Sequence, residues 1–136
     1  MYNVLQTYVD LLKEKCLSSN KMLTRLELNG LWVNLMKKVE YNPPHLHDGD
    51  ISWVIYSSIP SEILEKKKNF KGRGSTPGDI SFIYGERNET FKTEFSFAPK
   101  ERNVYLFHAS LRHFVAPFKS NVIKESVSGN ITFKYA

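Results

Sequence analysis

The stretch Asn42-Pro-Pro-His-Leu-His-Asp-Gly-Asp-Ile-Ser-Trp-Val-Ile-Tyr-Ser-Ser58 contains a breaker, a histidine pair, a turn and a strand in immediate succession. Proline lacks a backbone donor and biases the residue before it toward extended geometry, so Asn42-Pro43-Pro44 is expected to interrupt a ladder. Asp48-Gly49-Asp50 has the composition of a turn. Ile51 to Ser58 is rich in β-branched and aromatic residues and runs to a stop at Pro60, which predicts a strand. In extended chain, residues two apart share a face. His45 and His47 therefore present two imidazoles side by side.

Upstream, Leu31, Val33 and Leu35 alternate with Trp32, Asn34 and Met36, which predicts a strand from about Leu26. From Val4 to Lys15 the period changes: Val4, Leu5, Tyr8, Val9, Leu11 and Leu12 recur with helical spacing. Asn3 is a candidate cap, and the helix is expected to end near Ser18-Ser19-Asn20 and to pack on a sheet. Downstream, Ser61 to Pro77 reads as a long excursion opening with a helical turn over Ser61-Glu-Ile-Leu-Glu65. Its dense basic run, Glu65-Lys-Lys-Lys68 with Lys71 and Arg73, reads as a solvated, mobile loop, with substrate steering as the alternative. Further strands are expected over Asp79 to Tyr84, Thr93 to Phe97, Val104 to Phe107, Arg112 to Ala116 and Glu125 to Phe133. Short strands at regular intervals suit a sandwich or barrel. The expectation is one mainly β domain over 1–136, with a helix over 1–20 and a β-roll over 26–134.

The 136 residues suffice for one core, and a 41% hydrophobic content with 13% aromatic is that of a globular fold. No run of about 18 apolar residues predicts a membrane span, and the N-terminal residues lack the pattern of a secretory signal. Cys16 has no second cysteine to pair with, so the expected location is reducing and cytoplasmic. The formal charge of +5 suits a polyanionic partner such as nucleic acid.

Three of the four histidines are candidate metal ligands. His113, from a distant strand, can join His45 and His47 on one face of an ion and leave other positions open. Imidazole alone does not choose among iron, zinc, nickel and copper. Asp48 is read as part of the turn, while Asp50 stays open as an alternative ligand. His108, just after Val104-Tyr-Leu-Phe107, is read as a core or pocket-rim residue.

Trp32-Val-Asn34, Asn42-Pro-Pro-His-Leu-His47, Pro99-Lys100, Tyr105-Leu-Phe107, Leu111-Arg-His-Phe-Val-Ala-Pro-Phe118 and Ser126-Val-Ser-Gly-Asn130 occur in this order. Together they resemble the 2-oxoglutarate- and iron(II)-dependent oxygenases encoded by tailed phages, over roughly Leu31 to Phe133. The resemblance implies a double-stranded β-helix, the cupin-like jelly roll, with Fe(II) and 2-oxoglutarate in its open mouth; for a phage protein the location becomes the host cytoplasm. It implies His45 and His113 as ligands. His47 stands where the wider superfamily has a carboxylate, so both a three-histidine set and a set using Asp50 follow. Lys124 and Ser126 match the late-strand basic-x-Ser pair that holds the far carboxylate of 2-oxoglutarate, with Lys in place of the usual Arg. Asn34, spaced before His45 as in the nucleic-acid demethylase branch, is implied as a further contact to that cosubstrate; Tyr56, facing inward on the strand after the histidine pair, is a candidate hydroxyl donor to it, and either can instead satisfy buried backbone groups.

The activity so implied is a hydroxylase or dioxygenase coupling 2-oxoglutarate decarboxylation to C-H oxidation. It needs no side-chain acid, base or nucleophile beyond the metal ligands. The departures at His47 and Lys124 also suit two rivals: a non-enzymatic cupin-like ligand-binding or phage structural protein, and a cupin-type dioxygenase or isomerase that uses no cosubstrate.

Overall fold

Two four-stranded antiparallel sheets face each other in a computed structural model that describes residues 2–15, 23–72, 74–86, 90 and 92–136. The first holds β1 (Leu23–Met36), β3 (Ile51–Ser58), β6 (Val104–His108) and β8 (Lys124–Tyr135), in the order β1-β8-β3-β6. The second holds β2 (Asn42–His45), β4 (Ile80–Ile83), β5 (Glu94–Phe97) and β7 (Arg112–Val115), in the order β2-β7-β4-β5. Strands distant in sequence lie side by side, and the chain crosses repeatedly from one sheet to the other. This is the expected mainly β, double-stranded β-helix, or jelly roll, with α1 (Tyr2–Lys15) at its N-terminus.

Each face of the first sheet has a different cover. Val54 and Tyr56 of β3, with Met36 of β1 and Phe107 of β6, point inward against Ile80, Phe82 and Val115 of the second sheet. Ile51 and Trp53 of β3, with Ile131 and Phe133 of β8, point outward and pack against Val9 of α1. The central strand β8 is pressed on both sides at Gly129. A β-carbon there would lie 2.7 Å from the Gly30 carbonyl of β1 and 2.7 Å from the Trp53 ring. Only a residue without a side chain lets the three strands approach this closely.

Registers fix which face of each strand looks in. Asn34 lies opposite Ser126 on one side of β8, and Tyr56 lies opposite the same serine on the other. Lys124, Ser126 and Ser128 are buried on the inner face. On β1, Trp32 and Asn34 are half-buried and line the space between the sheets. The more apolar row, Leu31, Val33 and Leu35, faces out and is 55 to 63% exposed.

Local structure departs from the sequence reading at three places. Asn3 lies inside α1, where its carbonyl accepts the Thr7 hydroxyl, rather than capping the helix. The expected helix end at Ser18 to Asn20 falls outside the described residues, as do Cys16 and Arg73. Glu65 to Lys68 is helical: it forms the last turn of α2 (Ser61–Lys68), and Lys67 reaches across to the buried carboxylate of Asp79 at 2.7 Å. Pro43 and Pro44 lie within β2, because β2 is an edge strand that pairs only through Asn42 with Val115 and His45 with His113. An edge strand tolerates missing donors. No helix among the described residues is long and apolar enough to cross a membrane.

Candidate metal centre

The pairing of β2 with β7 places His45 directly opposite His113, and the extended chain after His45 returns His47 to the same face. The backbone N–H of His47 donates to the Ala109 carbonyl at 3.1 Å, which holds the segment beyond β2 in place. The His45 and His113 ring centroids are 4.3 Å apart, and each lies 5.0 Å from that of His47. One donor nitrogen from each ring lies within 4.8 Å of the other two.

Hydrogen bonds orient two of these rings. His45 Nδ1 lies 2.6 Å from the Pro43 carbonyl, and His113 Nδ1 lies 2.9 Å from the Leu111 carbonyl. A carbonyl only accepts, so each Nδ1 carries the proton and each Nε2 keeps its lone pair for a ligand. His47 packs against the Trp32 indole with centroids 5.3 Å apart. Burial pulls the His113 pKa down to about 4, reinforced by His45 and His47 and opposed by the bond to Leu111. Burial, and then His45, also lower that of His47, while Asp48 opposes them. Neutral imidazole is the ligating form.

Asp50 is not brought to this group. Its Oδ2 accepts the Phe133 N–H at 2.7 Å, while its backbone bonds both Ile131 and Ala109. It ties the turn to β8. Asp48 is exposed at the same turn, and Gly49 there has φ +92°, a conformation open to glycine. His108 is exposed at the end of β6 and does not line the histidine cavity, its Nδ1 2.8 Å from the Ser110 hydroxyl.

The three histidines line a cavity of about 290 Å³ between the sheets, near the lower bound for small-ligand sites. Asn34, Tyr56 and Ser126 line it as well. Asn34 Nδ2 donates to Ser128 Oγ at 3.3 Å. The Tyr56 hydroxyl has no hydrogen-bond partner among the described residues, and burial raises its pKa. Trp32, Asn42 and Ser128 also line the cavity without having been singled out as site residues. Period-two alternation already places Trp32 beside Asn34 and Ser128 beside Ser126. Apolar walls come from Val54, Ile80, Phe107 and Val115, which are spread over four strands and share no local motif.

Lys124 is buried beside the cavity. It is not among the lining residues: its Nζ lies 4.7 Å from the centroid of the Tyr56 ring, one ring away, and donates to the Gly78 carbonyl at 2.5 Å. At 3% exposure it is the most buried lysine among the described residues. Desolvation pulls its pKa down to about 8, against the attraction of Asp79. Asp79 is itself engaged by Lys67 and by the hydroxyl and N–H of Thr76. The interior thus carries an ammonium with one hydrogen bond and a carboxylate already matched elsewhere.

A jelly roll with three converging imidazoles beside a cavity of mixed polarity has the fold and donor set of a metal-binding β-barrel protein. Residues 30–130 match the family model described as "Putative 2OG-Fe(II) oxygenase", and the chain belongs to that family. Among solved structures it is similar to an oxidoreductase of the 2OG-Fe(II) oxygenase family from Burkholderia pseudomallei, with a TM-score of 0.56 and 17% identity. That alignment covers 93% of this chain and 57% of the other, so the chain spans little more than half of that protein's length, and the likeness is one of fold. No curated protein matches the chain.

Proposed function

We propose that the protein is a 2-oxoglutarate- and iron(II)-dependent oxygenase, with iron held by His45, His47 and His113 and the cosubstrate lying along the cavity toward Tyr56 and Ser126. The observation that carries this reading is the pairing of a neutral three-imidazole group with a buried, incompletely satisfied ammonium close to the same cavity. The donor set fits the ion: three nitrogen ligands suit ferrous iron and leave positions for exogenous ligands. Bound there, iron(II) would supply oxidative chemistry in which dioxygen and 2-oxoglutarate yield succinate and carbon dioxide as a substrate C-H bond becomes C-OH.

The residues of the chain have separate tasks. The carbonyls of Pro43 and Leu111 fix two ligand rings in their tautomer and orientation. With His47 in place of a carboxylate, the ligands carry no negative charge, which favours an anionic cosubstrate at the ion. Tyr56, Ser126 and Asn34 offer hydroxyl and amide donors to its carboxylates. Lys124 supplies the matching charge from behind Tyr56, where low polarity lets it act beyond contact distance. Val54, Ile80, Phe107 and Val115 keep that space poor in water.

The test is turnover of 2-oxoglutarate by protein loaded anaerobically with iron(II) and then given air, read as succinate released. Succinate should form with the native chain and fall to background in His113→Ala, which should also lose its iron while remaining folded. Iron bound without cosubstrate-dependent succinate would instead favour a cupin-type metalloprotein. Unchanged iron content in a folded His113→Ala variant would remove His113 from the site.

A further inference from the structure

Lys67 and Asp79 do not line the histidine cavity, and the chemistry proposed above uses neither. Asp79 is buried just before β4, and its carboxylate is engaged at both oxygens. Oδ1 accepts Lys67 Nζ of α2 at 2.7 Å, while Oδ2 accepts the Thr76 N–H at 3.1 Å and the Thr76 hydroxyl at 2.6 Å. The backbone of the same turn is bonded as closely. The Asp79 N–H donates to the Thr76 carbonyl at 3.0 Å, the Gly78 N–H donates to the Ala116 carbonyl at 3.1 Å, and the Ala116 N–H donates to the Asp79 carbonyl at 2.9 Å.

Lys124 meets this turn one residue from Asp79. Its Nζ donates to the Gly78 carbonyl at 2.5 Å and stands over the Tyr56 ring at 4.7 Å. Helix α2 presses on the same point: a β-carbon at Gly78 would lie 2.7 Å from Ile63 Cγ2. Two ammonium groups thus reach the turn, from α2 and from β8, and its one buried carboxylate is bonded to Lys67. In surroundings of low polarity a carboxylate and an ammonium attract strongly, so the cation that Asp79 takes decides which one is left for another anion.

We infer that Lys67 is a positioning residue for the cosubstrate: by occupying Asp79 it keeps that carboxylate off Lys124, whose ammonium stays available to the far carboxylate of 2-oxoglutarate. Asp79 is the internal competitor for that charge. Its attraction already reaches Lys124, where it opposes the lowering of the pKa by burial. With Lys67 removed, Asp79 turns to the remaining ammonium, and an entering anion finds a charge already matched. Naming that anion as 2-oxoglutarate rests on the function proposed above; the competition between the two lysines does not.

The test compares the native protein, Lys67→Met and the double variant Lys67→Met/Asp79→Asn, loaded with iron(II) without oxygen so that nothing turns over. Calorimetry sets 2-oxoglutarate against 2-oxobutyrate, which lacks the far carboxylate. In Lys67→Met the affinity for 2-oxoglutarate should fall about fivefold or more while that for 2-oxobutyrate holds. The double variant should recover, because the competing carboxylate is gone. Equal weakening of both acids, or a double variant weaker than the single one, would mean packing damage and overturn the role of Lys67. Lys67→Gln, which removes the charge but keeps a polar tip, takes the same comparison if Lys67→Met does not fold. A second readout needs neither metal nor cosubstrate. In metal-free protein carrying ¹³C-lysine, the Lys124 Cε signal, identified by its loss in Lys124→Met, should titrate at higher pH in Lys67→Met and fall back in the double variant. Tyr56, the titratable group against this ammonium, stays neutral throughout because burial raises its pKa. An unchanged Lys124 titration would overturn the competition. Native protein that binds the two acids equally would sink the placement of 2-oxoglutarate, and the titration would still decide the competition.

Discussion

Lys124 is buried at a desolvation cost that lowers its pKa. Its displacement from 10.5 to about 8 corresponds to about 3 kcal/mol of native-state cost, most of it desolvation. Below pH 8 the amine is charged in both the folded and unfolded chain, and the folded state bears that cost in full. Between pH 8 and 10.5 the unfolded chain holds a proton that the folded one lacks, so stability rises with pH across this window. Lys124→Met should therefore be more stable than the native protein at pH 7 by about 1–3 kcal/mol in urea denaturation, with the gap narrowing above pH 8. The same variant should bind 2-oxoglutarate at least about tenfold more weakly in the iron-loaded protein. Loss of stability together with unchanged cosubstrate affinity would show that Lys124 is a structural residue only. In the native protein, cosubstrate affinity should decline as pH passes about 8, because the carboxylate prefers the protonated amine. At this scale the sequence was informative about identity but not about distance. The resemblance implied Lys124 and Ser126 as a pair at the cosubstrate, yet that the Tyr56 ring of β3 stands beside the Lys124 ammonium could only be found in three dimensions.

The strand β8 carries much of the site, since Ser126, Ser128 and Lys124 all project from its inner face. Its two neighbours are held close by Gly129, and a methyl there would collide with the Gly30 carbonyl and the Trp53 ring. Backbone and a packed indole do not yield as a flexible side chain would. Gly129→Ala should cost about 1–3 kcal/mol in urea denaturation. An unchanged midpoint would mean that β1 and β3 separate freely. Strand positions were legible from alternation because β-branched and aromatic residues recur between turn residues. Helix α2 was less so: Pro60 precedes it with no side-chain cap bond, and Ile63 is its one buried residue among those described. Lys67 is held by contact with Asp79, twelve residues on, which a local reading cannot see. Likewise, Pro43 and Pro44 announced a break, and it is the position of β2 at a sheet edge that converts the break into a strand.

Over the whole molecule, the interior is divided between an apolar core and a histidine-lined cavity, and this division inverts the usual rule at β1. Trp32 and Asn34 turn inward toward the histidines, while Leu31, Val33 and Leu35 face solvent on a strand that is at the sheet edge among the described residues. Because those side chains bury little, replacing Leu31 and Val33 together by Thr should change stability by no more than about 0.5 kcal/mol per site. Thermal denaturation checks this, and a large loss would show that the row is covered in solution. The amino-acid sequence by itself determined the mainly β class, the alternation of β1, β3 and β8 and the shared face of His45 and His47, since each follows from local backbone geometry. Tertiary structure decided that His113 lies opposite His45, that Asp50 serves the turn instead of the histidine group, which face of β1 looks inward, and that Phe82 and Phe107 pack against the His113 ring. Those outcomes depend on strand pairing across long separations, where register and burial are set by the packed sheets together.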